Sequence, residues 1–457
     1  MPIKASDIQK KLPEGGKKNC KECGFPTCFA FAMKLAGGGI SVDKCPHLPV
    51  EVKVELAEAV APPIKLVTFG TGDNVLSIGE EEVVFRHEKT FYRQPGIAIL
   101  ISDKNPTSVV QEKINKLLTY HYERVGLLFK PDIAVLKYES GDKTKYLNLA
   151  IEIAQKGLPI IVMADDPTVL TEAKNLLINY KPLLYAITSD NLKVMLPTLK
   201  EKPVPVVVKA NSVEEAIPLT IRLKEEGITE IIVDTQPADL NSAIADYTVI
   251  RRAALKNGYR PLGYPILSLL PLTASTLDEE VMLAASLVVK YASIIVLSDF
   301  QKESLFPLLV LRQNIYSDPR VPLTVEEKIY EIGVINEESP ALVTTNFALT
   351  YFAVASEVEG SKIPAYLFVR NTEGLCVLAA WSTGKFAGET IAPFIKSSGL
   401  ENKLKHKRLI IPGLVARIKG ELEDELPGWE IIVGPKAAED LPAFLPRMIE
   451  KWKAKGA

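Results

Sequence analysis

The chain has 457 residues, 47% hydrophobic and 24% charged, enough for two to four domains of about 100–200 residues each. With 54 Lys and Arg against 56 Asp and Glu, the net charge is −2, so no strong field exists to gather nucleic acid or an anionic membrane. Apolar runs such as ASIIVL (292–297) fall far short of the ~20 residues a membrane span needs. The opening MPIKASDIQKKLPEGGKKNC carries no signal-peptide core, and a cytoplasmic protein with reduced thiols is expected.

Residues 1–57 form a first module, rich in Lys and Gly, that holds Cys20, Cys23, Cys28 and Cys45. Their spacing is C-x2-C-x4-C-x16-C, in KNCKECGFPTCFAFAMKLAGGGISVDKCPHL. A disulfide framework does not suit a reducing compartment; a metal centre does. Zinc ribbons usually pair their cysteines twice as C-x2-C. Three close thiolates and a remote fourth followed by proline are more typical of an iron–sulfur cluster, and zinc is the alternative. Cys28 opens an Ala/Phe-rich helix that Gly37, Gly38 and Gly39 end, returning the chain to Cys45. His47 reads as a surface or neighbouring side chain, since four thiolates complete the site. The stretch 46–65, with four prolines, reads as the end of the module plus a flexible linker.

Residues 58–325 begin with an expected hairpin, IKLVTFG (64–70) to EEVVFRH (81–87), across TGDN. Eight apolar runs follow, starting at Gly96, Asp132, Pro159, Leu183, Pro205, Glu230, Pro265 and Ser293. Helical patterns such as SVEEAIPLTIRLKEEG (212–227) separate them. Continuous rather than alternating apolar strands indicate a sheet covered on both faces. Eight strand-plus-helix units predict a (β/α)8 TIM barrel, with an open doubly wound sheet as the alternative. The strand carboxyl ends offer Asp103, Asp165, Asp166, Lys209, Asp234 and Asp299. They show no nucleophile–base pair, metal-spaced histidines or phosphate loop, so a scaffold and docking role is expected.

Residues 326–457 predict a smaller α/β unit of three layers. Strands are expected at PALVTTN (340–346), AYLFVRN (365–371), LCVLAAW (375–381), RLIIPG (408–413) and WEIIVG (429–434), the second and third forming a hairpin. On that reading Cys376 is a buried thiol in mid-strand, and His406, in KLKHKRL, belongs to a solvated basic segment.

The cysteine segment CKECGFPTC…CPHL, the barrel-like middle and the terminal α/β unit together resemble the large subunit of the corrinoid iron–sulfur proteins of the acetyl-CoA synthase/decarbonylase (Wood–Ljungdahl) pathway. The likeness spans essentially the whole chain. It implies a [4Fe–4S] cluster on Cys20, Cys23, Cys28 and Cys45, a central TIM barrel, and a C-terminal Rossmann-like cobamide-binding domain. It further implies a heterodimer with a small subunit, a methyltetrahydrofolate:corrinoid methyltransferase, acetyl-CoA synthase, and a reductive activator. The implied role is methyl carriage: cobalt as Co(I) accepts the methyl group and passes it to acetyl-CoA synthase, while the cluster supplies the electron that rescues Co(II). The terminal unit lacks the D-x-H-x-x-G pattern that supplies an axial histidine, which implies a base-off cobamide without a protein nitrogen ligand.

Candidate cobamide contacts come from strand ends: Thr344, Thr345 and Asn346; the turn Thr372, Glu373 and Gly374; Ser382, Thr383, Gly384 and Lys385, expected at the start of a helix; Gly413, Leu414, Val415 and Ala416; and Gly434 and Ala437. Taken singly, such residues are also ordinary turns and caps. A reading of another class is an iron–sulfur barrel enzyme, a reductase or methyltransferase, using the cluster for electron transfer. A third is a zinc-stapled binding protein.

Overall fold

The computed structural model describes residues 4–124, 127–270, 274, 276–399 and 404–456. The chain divides into two units: one reaches to His121 and resumes at Lys130–Ser317, and the other comprises Tyr122–Phe129 and the chain from Asp318 onward.

The first unit opens with α1 (Ala5–Lys11), α2 (Cys28–Ala36) and α3 (Val50–Val60). They close over a small core that includes Ile8, Leu12, Phe31, Leu35, Leu48 and Leu56. Within the stretch 46–65, read from the sequence as a linker, residues 50–60 are helical. Pro49 caps α3, and Pro62 and Pro63 follow its end, so the prolines bracket a helix. Beyond it the chain is held to the barrel: the Arg260 guanidinium donates to the carbonyls of Pro62 (2.7 Å) and Ala61 (3.0 Å), and Lys65 N–H to Gly263 O (2.9 Å).

The expected hairpin exists with a different second arm. β1 (Val67–Phe69) pairs antiparallel with β2 (Leu76–Ile78), whereas 81–87 is loop. The arm ends at Gly79, whose φ of 90 turns the chain at a position where a Cβ would lie 2.0 Å from Lys65 O. Glu81 then organises the loop, accepting the Tyr92 (2.9 Å) and Arg93 (3.1 Å) N–H groups and pairing with buried Arg251 (3.0 Å).

The eight apolar runs become β3 (Gly96–Ser102), β6 (Ile133–Lys137), β7 (Ile160–Met163), β8 (Leu183–Ile187), β9 (Val206–Lys209), β10 (Ile231–Asp234), β11 (Leu267–Leu269) and β12 (Ile294–Leu297). The hairpin β4 (Tyr122–Arg124) and β5 (Leu127–Phe129), not foreseen from the sequence, interrupts this series and belongs to the second unit. After β3 comes α4 (Thr107–Thr119); α5 (Lys143–Gln155), α6 (Pro167–Leu176) and α7 (Leu192–Glu201) follow the next three barrel strands. Then come α8 (Val213–Glu225), α9 (Leu240–Asn257), α10 (Leu277–Val289) and α11 (Lys302–Ile315). All eight strands are parallel, in the order β10-β9-β8-β7-β6-β3-β12-β11. A single parallel bridge, Val233 to Ile266, brings the two edges together, with Val233 N–H donating to Pro265 O at 2.9 Å. The result is a nearly closed barrel. Val67, Phe69 and Ile78 of the hairpin share its interior core with Ala98, Ile133 and Leu183, so β1–β2 plugs the amino end.

The second unit is a five-stranded sheet, β13 (Lys328–Ile332), β14 (Ala341–Thr345), β15 (Ala365–Arg370), β16 (Arg408–Ile411) and β17 (Glu430–Val433), in the order β13-β15-β14-β16-β17. Only β13 is antiparallel. On one face α12 (Ala348–Gly360) and α16 (Leu441–Gly456) cover Leu342, Leu367 and Ile410. On the other, α13 (Val377–Ser382), α14 (Gly388–Ser397) and α15 (Lys419–Glu425) cover Val343, Phe368 and Ile411. The expected strand 375–381 is thus the beginning of α13, and no hairpin joins it to β15. The turn before it uses left-handed backbone at Glu373 (φ 57) and Gly374 (φ 77). Val377 and Ala380, three apart, then point inward, as a helix requires.

His406 is also corrected. It is buried, not solvated, with Nε2 3.1 Å from Ser339 O and its ring 5.5 Å from Trp452. Burial pulls its proton affinity below the ordinary imidazole value of 6.5.

This packing has consequences for stability in each unit. Replacing Arg251 by Leu leaves the Glu81 carboxylate buried without its cation and should cost about 3–5 kcal/mol, read as a lower urea midpoint for the first unit. The neutral imidazole of His406 stabilises the second unit fully above pH 6.5, and this contribution is lost as pH falls through the depressed folded-state value. All three tryptophans, Trp381, Trp429 and Trp452, lie in that unit, so their fluorescence should report a midpoint that drops with acid in the wild type and drops less in His406→Gln.

Candidate functional site

The four clustered cysteines converge through turns that only particular backbone conformations permit. Asn19 (φ 44), Lys21 (φ 65) and Gly24 (φ 83) are left-handed, which folds the loop carrying Cys20 and Cys23 tightly back on itself. Thr27 is the N-cap of α2, its Oγ1 accepting from Ala30 N–H at 3.1 Å, and so fixes Cys28 in the first turn. Asn19 ties the loop to that turn: its Oδ1 accepts Cys28 N–H (2.7 Å), and its own N–H points at Cys28 Sγ (3.4 Å). Gly38 reverses the chain at φ 70, and a short 3-10 turn, Val42–Lys44, delivers Cys45.

The four thiols are free and line one hollow, walled by Phe25 and Phe31. Cys45 is the most enclosed of them. Burial pushes its thiol up, the nearby Cys23, Cys20 and Cys28 add to that, and a hydrogen bond from the His47 backbone opposes it. The His47 ring stands at the rim with Nε2 3.0 Å from Glu22 Oε1. Four sulfurs, two of them facing backbone N–H groups, make a donor set for a thiophilic metal or cluster.

A second site lies at the carboxyl ends of β14, β16 and β17. The chain moves from β14 to β15 on one side and then returns to β16 on the other, and such a reversal opens a crevice beyond the strand ends. The cavity there is about 370 Å³ and predominantly apolar, with Leu342 and Ile410 among its lining. Leu349 (71% exposed), Leu378 (47%) and Leu414 (44%) stand at its border. Thr344 lines it, and its hydroxyl is buried without a hydrogen-bond partner, an uncompensated polar group that a ligand would satisfy. The loops beyond β16 and β17 touch directly: a Cβ on Gly413 would meet Gly434 O at 2.5 Å, while Gly413 N–H donates to Pro435 O (2.9 Å) and Gly434 N–H to Ile411 O (2.8 Å).

Of the strand-end residues singled out from the sequence, Thr344, Leu414, Gly434 and Ala437 line this crevice, and Gly413 packs against the loop that forms its wall. Thr345 is buried and its hydroxyl also lacks a partner. Asn346 holds the neighbouring turn, its Oδ1 accepting from Thr372 N–H (2.9 Å), Thr372 Oγ1 (3.1 Å) and Gly374 N–H (3.1 Å). Glu373 pairs with Lys385. Ser382, Thr383 and Gly384 lie at the end of α13 rather than at a helix start, because Gly384 (φ 75) closes it and both hydroxyls bond back to Ala379 O. Val415 is core, and Ala416 faces solvent. The sequence reading missed Leu349, Leu378 and Cys376, which also line the crevice. Helical spacing after Gly374 was the available signal for the last two.

At the barrel mouth the acidic residues mostly serve the fold. Asp103 is buried and accepts from Glu139 N–H (2.7 Å), Ser140 N–H (2.8 Å) and Ser140 Oγ (2.6 Å). Asp166 caps α6, and Asp299 accepts Phe300 N–H (2.8 Å). Asp234 is buried, which pushes its carboxyl up; it accepts from Tyr185 Oη (2.7 Å) and Gln236 N–H (2.8 Å). Asp165 and Lys209 are at least partly open to solvent. Among the described residues no helix is long and apolar enough to cross a membrane.

Residues 66–445 match the family described as CO dehydrogenase/acetyl-CoA synthase delta subunit, and residues 16–47 match a family described as putative Fe-S cluster. The chain is 43% identical to the corrinoid/iron-sulfur protein large subunit of Moorella thermoacetica, over 97% of this chain and 98% of that one. It is 32% identical to the acetyl-CoA decarbonylase/synthase complex subunit gamma of Methanothermobacter thermautotrophicus, over 98% and 99%, and 34% identical to that of Methanopyrus kandleri, over 97% of each. Among solved structures, dihydropteroate synthase from Thermus thermophilus is 16% identical and covers 55% of this chain and all of its own, with a TM-score of 0.37. On its full-length likeness to these subunits, the chain belongs to the family of corrinoid/iron–sulfur protein large subunits and acetyl-CoA decarbonylase/synthase gamma subunits.

Proposed function

We propose that the chain is a methyl carrier. In this reading residues 1–57 hold a [4Fe–4S] cluster on Cys20, Cys23, Cys28 and Cys45, residues 58–325 are a scaffold and docking barrel, and residues 326–457 are a Rossmann-like unit that holds a cobamide. The observation that carries the reading is the pairing of two unlike sites in one chain: four free thiols around one hollow, and an apolar crevice with a buried, unpartnered hydroxyl at a strand-order reversal.

The thiols present soft, anionic ligands once deprotonated, and the N–H groups of Asn19 and His47 directed at Cys28 and Cys45 offset part of that charge. A cluster supplies single electrons at low potential; a cobamide supplies methyl exchange at low-valent cobalt. The crevice suits a large amphipathic macrocycle: its apolar lining would hold such a group, Thr344 has a hydroxyl without a partner, and Gly413 and Gly434 let the two loops approach closely. A base-off state without a protein nitrogen ligand is supported by His406. It is the one histidine in residues 326–457, it precedes β16 and so lies at the opposite sheet edge, and it is engaged with Ser339.

The relatives' names speak of a large subunit and of a complex subunit gamma. We therefore assign this chain to a heterodimer with a small subunit. In this reading a separate methyltransferase would bring the methyl group from methyltetrahydrofolate, acetyl-CoA synthase would receive it, and a reductive activator would pass electrons to the cluster that Cys20, Cys23, Cys28 and Cys45 would hold.

Metal analysis of the anaerobically purified native complex should give about four iron and one cobalt per chain, with corrinoid bands beside the broad iron–sulfur absorbance. Zinc in place of iron, or a cobalt-free complex showing only iron–sulfur absorbance, would overturn the reading; the second result would favour an iron–sulfur barrel enzyme. Cys23→Ala should abolish reactivation of oxidised protein by the electron donor while leaving methyl transfer from already reduced cobalt largely intact. Normal recovery of that variant would remove the cluster from the repair role.

A further inference from the structure

Four of the five cysteines surround the N-terminal hollow; the fifth stands elsewhere, and its setting is informative. Cys376 is exposed and immediately precedes α13. It lines the crevice at the carboxyl ends of β14, β16 and β17, as does Leu378 two residues later. An exposed cysteine alone signifies nothing. Here a second, independent feature belongs to the same cavity: Thr344, 1% exposed, is one of its lining residues, and its buried hydroxyl has no hydrogen-bond partner. Leaving such a group unsatisfied is unfavourable, and a bound molecule with a donor or acceptor would relieve it. Leu349, Leu378 and Leu414, all substantially exposed, are placed to be covered by that same molecule.

We propose that Cys376 is a corrinoid-contact residue and a modification site that controls loading: the bound macrocycle covers its thiol, and a group attached to the sulfur closes the crevice to the macrocycle. This rests on the cobamide reading of the crevice given above. The physical basis is competition for space. The cavity is about 370 Å³, and an adduct on its lining occupies volume and presents polar atoms to an apolar wall. With N-ethylmaleimide the sulfur adds to one olefinic carbon, the thiol proton ends on the other, and nothing leaves. A thiol at this position therefore makes cobamide uptake sensitive to electrophiles that reach the crevice before the cofactor does.

The test uses the full chain in its native complex, produced without corrinoid and handled anaerobically. Hydroxocobalamin is the probe, and bound cobalt and corrinoid absorbance are the readouts, with no methyl transfer measured. Peptide mass spectrometry then follows N-ethylmaleimide addition at Cys376 alone. Loading should slow labelling of Cys376 by at least about tenfold, since access governs the reaction. Conversely, protein labelled first should take up at least about tenfold less cobalt. Cys376→Ser lacks the reactive sulfur, so N-ethylmaleimide should not change its cobalt uptake relative to the same variant left unlabelled, which separates crevice blockage from damage to the N-terminal thiols. Equal labelling of loaded and empty protein, or normal loading of labelled protein, would overturn the proposal while leaving the cobamide reading in place. Failure of the unlabelled complex to bind any cobalt would overturn that reading, and this proposal with it.

Discussion

Parallel strands buried on both faces leave no solvent-facing side chains along their length, so whatever binds must do so where the strands stop. Both units obey this constraint. In the barrel, β3 and β6 to β12 are almost wholly apolar, and the polar residues Asp103, Asp234 and Ser268 gather at or near their carboxyl ends. In the terminal unit the same rule places Thr344 and the loops beginning at Pro412 and Gly434 around one crevice. The two outcomes differ because their edges are closed differently. The barrel joins β10 to β11 through the Val233–Ile266 bridge and bonds Tyr185 to Asp234 near its mouth, beside a cavity of about 310 Å³ whose lining, with Asp234, Asp239 and Ser268, is more polar than that of the crevice. The open sheet reverses strand order beside β14, and none of the described residues fills the gap that this leaves.

The N-terminal module follows a different logic. It has too few apolar residues for a large core, and its short helices pack around Phe31, Leu35 and Leu56. What its sequence does provide is curvature. Left-handed backbone at Asn19, Lys21 and Gly24 and the reversal at Gly38 bend the chain around a point toward which four sulfurs are directed. Bound iron would therefore add to the folding energy of a segment otherwise only modestly stabilised. α3 and the Arg260 bonds to Ala61 and Pro62 hold the end of this module to the barrel.

Several features were legible from the residues because one local pattern carried them. The eight barrel strands are short, mostly apolar runs rich in Val, Ile and Leu, and each is found where such a run lies. The cysteine spacing marked a candidate metal centre, and the four thiols do share one hollow. The readings that failed had two compatible patterns. LCVLAAW suits a strand by composition, yet Val377 and Ala380 pack as a helix because the Thr372–Gly374 turn, held by Asn346, redirects the chain. EEVVFRH also has strand-like residues, but Glu81 is committed to Tyr92, Arg93 and Arg251, partners up to 170 residues away. His406 stands among lysines and looked solvated, although Trp452 and Ser339 bury it.

The sequence by itself determined the number and type of the barrel strands, the thiol-rich module and the family, because periodicity, spacing and extended likeness are properties of neighbouring residues. Only the tertiary structure decided which strand ends share a crevice, that Cys376 opens onto it while Ala416 does not, and that the expected linker contains a helix at 50–60. Those outcomes depend on strand order and on side chains far apart in the chain, and a one-dimensional pattern contains neither.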